Sequence, residues 1–364
     1  MDPHLSPTNI ATYYHNNCEL YLHNSHHRVL DGGTKKHTES SPLTAAQFQR
    51  GLDWEDSLFR MLSSLDQLVR VDSSMPKTAI EIRDIILEAA PNANSTKYIV
   101  NLTFQSPSFT QELLQYESSP SSVVFGVAKP DILKITRRDD HEIIWEVIDA
   151  KSSNALKSSH NAQTGFYHLC LDKLLDSVLY EPDSPILIPS ENVSIWMPGA
   201  EDQDALSEPV TTPTSLLLPA LRTFLFKTLP RILSLPRNKV EWHLNPNCQG
   251  CEFFDNCKES TVRDKRLGMI PNLSISDARV IRDVLGNAGR LGMLQAPGQV
   301  NEIEELDTFI RSSSIQKMEA TYSATIKQFQ RLLGVQGSEN NRWSPRLSAA
   351  ITLEPQVGPL SVFC

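Results

Sequence analysis

Two apolar segments separated by a short polar turn constrain the fold of this chain more than any other feature. They are VVFGVAKPDILKIT (123–136) and EIIWEVIDAK (142–151). Their β-branched and aromatic residues predict neighbouring strands of a buried sheet. The first carries Asp131, and the second carries Asp149 and Lys151. Because a charge in a buried strand is costly without a partner or a task, these residues are the leading candidates for a functional site.

The length of the connection decides whether these charges share one face of the sheet. A two-residue turn pairs Asp131 with Ile148 and directs the two aspartates to opposite faces. A three-residue connection, 139–141, pairs Asp131 with Asp149 instead. We predict the second register, or a bulge with the same result. Lys151 then lies on the same face, because side chains alternate along a strand.

Two carboxylates and a lysine on one face suit the hydrolysis of phosphodiester bonds. Mg²⁺ or Mn²⁺ takes oxygen ligands and polarises a phosphate, and a lysine can orient the attacking water or offset developing charge. Glu55, on an amphipathic helix predicted over 44–69, is a candidate third ligand. Gln163 and Tyr167 share one face of a helix predicted over 159–179. For each residue alone, an ordinary solvated surface is the alternative interpretation.

The remaining pattern predicts an α/β chain. Further helices are expected over 77–90, from about 215, and after 265; further strands over 98–104, 193–197 and 239–244; and an acidic, proline-rich loop over 200–214. We predict a core domain over 1–265 and a helical extension over 266–335. Residues 336–364 are expected to be a tail or the start of a truncated further domain.

The cysteines suggest a second, soft-metal site. Cys248, Cys251 and Cys257 form a C-x₂-C-x₅-C cluster, and Cys18 in a separate N-terminal segment is the natural fourth ligand. Four thiolates complete either a structural Zn²⁺ site or a [4Fe–4S] cluster, and the spacing fits both. Cys170, on an apolar helix, is predicted to be a buried core thiol.

Composition limits where such a chain works and what it binds. Its net charge of -9 excludes a generally basic nucleic-acid-binding protein, so any such binding needs a local basic surface. The N-terminus has no secretory signal pattern, and the apolar stretch 215–236 is interrupted by charges and prolines. We therefore expect an intracellular protein, in the cytoplasm or nucleus, that is neither secreted nor associated with a membrane.

Three segments resemble the successive motifs of RecB-type nucleases, a branch of the PD-(D/E)xK superfamily: GVAKPDIL, WEVIDAKSS and QTGFYHL. The resemblance implies a restriction-endonuclease-like mixed sheet flanked by helices, and metal-dependent cleavage of DNA at single strands or ends. It also implies roles for individual residues: metal ligands Asp131, Asp149 and Glu55, a catalytic lysine Lys151, and a helix motif near the DNA formed by Gln163 and Tyr167.

The sequence departs from the family at one ligand. Gly51 to Glu55 matches the family's Gly-x-x-His-Glu pattern with Trp54 in place of histidine, so Glu55 carries over and the histidine ligand does not. We expect Trp54 in the core. This departure and the acidic charge favour the alternative function, a catalytically weak or inactive nucleic-acid-binding scaffold. The retained motif residues argue against it: Asp131, Asp149, Lys151, Gln163 and Tyr167.

The arrangement of the cysteines resembles the iron–sulfur staple of RecB-type nucleases, in which one N-terminal cysteine joins a later C-x₂-C-x₅-C cluster. That resemblance favours [4Fe–4S] over zinc. The resemblance also implies an associated helicase, either in the same chain or as a separate partner. The chain itself has no GxxxxGK[ST] loop, so it carries no motor of the P-loop kind.

Overall fold

The computed structural model describes residues 5–27, 42–92, 95–119, 123–139, 141–178, 184–199, 208–291, 293–294 and 301–334. Contacts divide the chain into two compact units, Met1–Val240 and Glu241–Cys364. The segment predicted over 336–364 lies outside the described residues. No helix in the described ranges has both the length and the apolar content needed to cross a membrane.

The first unit contains eight helices and nine strands within the described residues. The helices are α1 (Pro7–Asn16), α2 (Glu19–His27), α3 (Pro42–Ser64), α4 (Ala79–Ala89), α5 (Thr110–Gln115), α6 (Ser158–Asp176), α7 (Thr214–Thr223) and α8 (Leu229–Ser234), with a π-helical turn at Phe224–Thr228. The strands are β1 (Leu68–Arg70), β2 (Thr96–Val100), β3 (Phe104–Gln105), β4 (Val127–Ala128), β5 (Ile132–Arg137), β6 (Glu142–Ala150), β7 (Ile186–Pro189), β8 (Asn192–Trp196) and β9 (Val210–Pro213).

Seven strands form one mixed sheet, in the order β1-β2-β5-β6-β8-β9, with β7 paired to the start of β6. Strands β2, β5 and β6 are antiparallel neighbours, whereas β8 runs parallel to β6. Strands β3 and β4 form a separate small pair. The predicted α/β class, a mixed sheet flanked by helices, is confirmed.

Helices cover both faces of this sheet around β6. On one face, Leu58 and Leu62 of α3 pack with Ile132 and Ile148, all four fully buried. On the other face lies Trp145, whose ring is 5.1 Å from that of His168 in α6. Because successive residues of β6 point to opposite faces, its buried side chains contact a helix on each side.

The second unit is helical. Its helices are α9 (Phe254–Arg263), α10 (Ile275–Arg290), α11 (Glu302–Arg311) and α12 (Ser314–Leu333), preceded by a 3₁₀ turn at Pro246–Gly250 and with another at Leu267–Met269. They enclose a hydrophobic core of their own, with Ile281, Leu306, Phe309 and Phe329 fully buried. The apolar spacing in α10 to α12 is that of amphipathic helices.

The prediction of a strand over 239–244 is wrong. A 3₁₀ turn ends at Lys239, and residues 241–245 have no regular secondary structure. Side chains hold this segment instead: Glu241 pairs with Arg279 at 2.8 Å, and His243 Nε2 lies 2.9 Å from the carbonyl of Leu273. These contacts lie within the second compact unit, which begins at Glu241.

The prediction of a loop over 200–214 is wrong in its last part. Residues 210–213 form β9, which pairs antiparallel with β8 at the edge of the sheet. This edge position tolerates the polar, partly exposed VTTP sequence and its terminal proline, since the outer side of an edge strand needs no ladder hydrogen bonds.

Candidate functional site

The register of β5 and β6 brings the two aspartates together. Ile132 pairs with Ile148, which sets Asp131 opposite Asp149 and matches the predicted three-residue connection. A cross-strand hydrogen bond fixes the first aspartate, since the backbone N–H of Ala150 donates to Asp131 Oδ2 at 2.8 Å. The predicted register is therefore confirmed, and both carboxylates lie on the face covered by α6.

Lys151 lies between the two carboxylates. Its Nζ is 2.7 Å from Asp149 Oδ2 and 3.8 Å from Asp131 Oδ2. The Asp149 side chain is only 1% exposed, whereas those of Asp131 and Lys151 are 22% and 24% exposed. Asp149 is thus shielded from water, whereas Asp131 and Lys151 are partly exposed to solvent.

The charged groups of this cluster shift one another's pKa values. Burial, and then the negative charge of Asp131, raises the pKa of Asp149 well above its ordinary value. Burial alone lowers the pKa of Lys151, but the adjacent Asp149 and Asp131 carboxylates outweigh it, so the pKa is raised. Lys151 therefore stays protonated at neutral pH.

Glu55 reaches the same neighbourhood from α3. Burial and the charge of Asp131 raise the pKa of Glu55, while Lys151 and Lys129 act in the opposite direction. However, no group of three or more His, Cys, Asp or Glu side chains among the described residues has the geometry of a metal site. Glu55 is therefore near enough to Asp131 for their charges to interact, but the described residues form no three-carboxylate cage.

Trp54 anchors α3 to the sheet. Its indole N–H donates to the backbone carbonyl of Trp196 at 3.2 Å, and the ring packs against the buried cluster around Ile148. The same carbonyl accepts the backbone N–H of Lys151 at 2.9 Å. Trp54 is partly buried as a structural residue, and its side chain binds β8 instead of pointing to the aspartates.

The predicted helix motif lies next to the aspartate pair. On α6, Gln163 Nε2 donates to the Tyr167 hydroxyl at 3.0 Å. Tyr167 is 4% exposed, and burial together with the charge of Asp149 raises its pKa, so the phenol stays neutral. The helix therefore brings a polar pair to the buried side of the site.

His160 is a site residue that the sequence analysis missed. It lies on α6 one turn before Gln163, largely buried, and its Nδ1 has no hydrogen-bond partner among the described residues. Burial, then the positive charges of Lys151, Lys157 and His15, lowers the pKa of His160 to about 4. The available signal was helical spacing, because positions 160, 163 and 167 share one face.

The aspartate pair has the properties of a divalent-cation site. Asp149 Oδ1 is buried and has no hydrogen-bond donor within the described ranges, and the neighbouring carboxylate raises the pKa of Asp149. Two crowded, water-excluded carboxylates are poorly satisfied by one lysine and well satisfied by a doubly charged ion. The oxygen donors present therefore fit Mg²⁺ or Mn²⁺.

The cysteines of the predicted staple belong to different units. Cys18 is buried in the first unit, directly after α1. In the second unit, Cys248 lies in a 3₁₀ turn closed by a 2.9 Å hydrogen bond from Cys251 N–H to the Cys248 carbonyl, and Cys257 lies on α9. Cys170 is fully buried in α6, so the prediction of a core thiol is confirmed.

No family model matches the chain, and no curated protein matches it significantly.

Proposed function

We propose that this chain is a metal-dependent nuclease that hydrolyses phosphodiester bonds of DNA, at single strands or ends. The observation that carries the proposal is the aspartate–lysine cluster, in which a buried carboxylate with an unpartnered oxygen lies opposite a second carboxylate and within 2.7 Å of a lysine. A charge arrangement this costly to bury is expected at a catalytic site.

The roles of the residues follow from their environments. Asp149 and Asp131 would hold a Mg²⁺ or Mn²⁺ ion, with Glu55 beside them, and the ion would supply Lewis acidity towards the phosphate and its attacking water. Lys151, kept protonated, would donate to a phosphate oxygen and offset the charge that develops in the transition state. Gln163 and Tyr167 would orient the strand from α6.

The architecture supports a restriction-endonuclease-like fold as part of this proposal. The site lies on two adjacent antiparallel strands, and the second of these runs parallel to β8 on its other side. Helices α3 and α6 each bring a polar residue to the ends of these strands. Each sequence motif that resembles the RecB type thus contributes to one site.

The experiment is a cleavage assay with labelled single-stranded DNA and Mn²⁺ or Mg²⁺. We expect wild-type protein to cut, and Asp149→Ala to abolish cutting while circular dichroism shows an intact fold. Glu146→Gln is the matched control. Glu146 is a buried carboxylate of the same strand, it contacts Lys134 and Ser194 on the opposite face, and its variant should retain cleavage.

Two results would overturn the proposal. Cleavage by Asp149→Ala at the wild-type rate would place the chemistry elsewhere. Binding of DNA by wild-type protein without cleavage in either metal would favour the alternative, an inactive nucleic-acid-binding scaffold in which Trp54 has replaced a ligand.

A further inference from the structure

We infer that α3 presents Phe48 as a stacking platform for an unpaired base next to the phosphodiester held at the aspartate–lysine cluster. The inference rests on the proposed function and deepens it, since it assigns the substrate as a single strand. It is carried by an exposed aromatic ring on the face of α3 that leads to the site.

Phe48 stands apart from the other aromatic rings of the described residues. Its side chain is 69% exposed, and it is the only phenylalanine, tyrosine or tryptophan in the described ranges that is mainly exposed. An aromatic ring in water loses the hydrophobic stabilisation that burial supplies. Leu52, one helical turn further along α3, is also 41% exposed and extends the apolar surface.

The same face of α3 reaches the site. Positions 48, 51, 52 and 55 recur at helical spacing, so their side chains form one stripe. Gly51 lies within this stripe, and a Cβ added there would be 4.0 Å from Ser152 Oγ, in the loop that follows Lys151. Glu55 ends the stripe and responds to the charges of Asp131 and Lys151.

The dimensions fit a strand that runs along this stripe. Phe48 lies seven positions before Glu55 on the helix, which corresponds to a rise of about 10 Å. A ring at that distance serves a nucleotide neighbouring the one whose phosphate is held at Lys151. Gly51 presents no side chain between the two positions.

The charges around the site favour a nucleic-acid occupant over an apolar peptide. Lys129, Lys151 and Lys157 all act on groups of this site, although the chain as a whole has a net charge of -9. Because such a chain lacks a general attraction for phosphates, binding must draw on local contacts. Stacking on an aromatic side chain is the contact that every unpaired base can make and a paired base cannot.

The test is equilibrium binding of a fluorescently labelled single-stranded oligonucleotide to the full chain, with Ca²⁺ as the metal and gels to verify that the strand remains uncut. We expect Phe48→Ala to weaken binding about 5- to 150-fold, the range for one stacked base, and Phe48→Trp to retain affinity. Ile80→Ala is the matched control, because Ile80 is 57% exposed on α4 and should not contribute. On a strand with abasic sites, the effect of Phe48→Ala should vanish.

The outcomes separate this inference from the proposed function. If wild-type protein cuts single-stranded DNA but Phe48→Ala binds it with unchanged affinity, the platform is refuted and the nuclease stands. If Phe48→Ala only dissolves a dimer in sedimentation experiments, the ring serves self-association and the platform is also refuted. If wild-type protein neither binds nor cuts DNA, the proposed function is wrong and the platform with it.

Discussion

Replacing Lys151 with methionine should destabilise the protein in a way that depends on pH. The substitution keeps the unbranched side chain apart from its terminal atom and removes the cation that lies 2.7 Å from Asp149 Oδ2. At that distance, in an effective dielectric of about 20, the attraction is about 6 kcal/mol. Water reaching the partly exposed lysine reduces what is lost, so we expect the free energy of unfolding to fall by about 3 to 5 kcal/mol, as for other broken buried pairs.

The sign of the pH dependence follows from Asp149. The pKa of Asp149 in the folded protein is raised above the ordinary value of 3.8. The stabilisation that Asp149 contributes is therefore complete below pH 3.8, and it is lost as the pH rises through the folded-state pKa. Lys151 lowers this pKa, so removing the lysine raises it further. The difference between variant and wild type should therefore be larger at about pH 8 than at about pH 5, because more of Asp149 is ionised at the higher pH.

Urea unfolding at both pH values, followed by circular dichroism, measures this difference. The matched control is Lys134→Met. Lys134 is 33% exposed and pairs with Glu146 at 3.3 Å, but Glu146 retains the Ser194 hydroxyl as a donor, so its loss should be smaller. An equal loss for Lys151→Met at both pH values would refute the view that an uncompensated Asp149 charge causes it.

Three further predictions test other parts of the structure. Trp54→Phe removes the indole donor to Trp196 and should lower the free energy of unfolding by about 1 kcal/mol in urea; an unchanged midpoint would contradict this role. Arg282→Met removes the 2.8 Å partner of the partly buried Glu302, which keeps the Leu267 backbone N–H as a donor, and should cost about 1.5 to 3 kcal/mol near neutral pH. Because the folded-state pKa of Glu302 is lowered, its stabilisation exists above the ordinary value of 4.5 and disappears as the pH falls through the folded-state value, so the cost should shrink in acid. Protein purified without oxygen should show a broad visible absorption band that is absent in Cys18→Ser; a colourless protein with one zinc would refute the cluster.

The sequence was sufficient to predict the centre of the candidate site because one turn length and one periodicity determine its geometry. The length of the turn sets the register of β5 and β6, and alternation along β6 places Lys151 beside Asp149. Helical spacing likewise predicted the Gln163–Tyr167 pair, which the structure shows as a hydrogen bond. These features depend only on local geometry.

Other features depend on tertiary contacts, and the sequence did not reveal them. The pKa of His160 responds to burial and to charges from separate segments, which no local pattern contains. The segment after Lys239 has the composition of a strand, yet side-chain contacts made by Glu241 and His243 hold it without a strand partner. Strand β9 forms because an edge of the sheet is available beside β8.

The carbonyl of Trp196 ties two separate segments around the candidate site, α3 and the end of β6, to one point of β8. Because that one oxygen accepts both the Trp54 indole N–H and the Lys151 backbone N–H, a displacement of β8 would carry α3 and the end of β6 with it. Glu55, which follows Trp54 on α3, and Lys151, which follows β6, are thereby linked to the same strand. Trp54 can in this way align the candidate site without contributing a ligand to it.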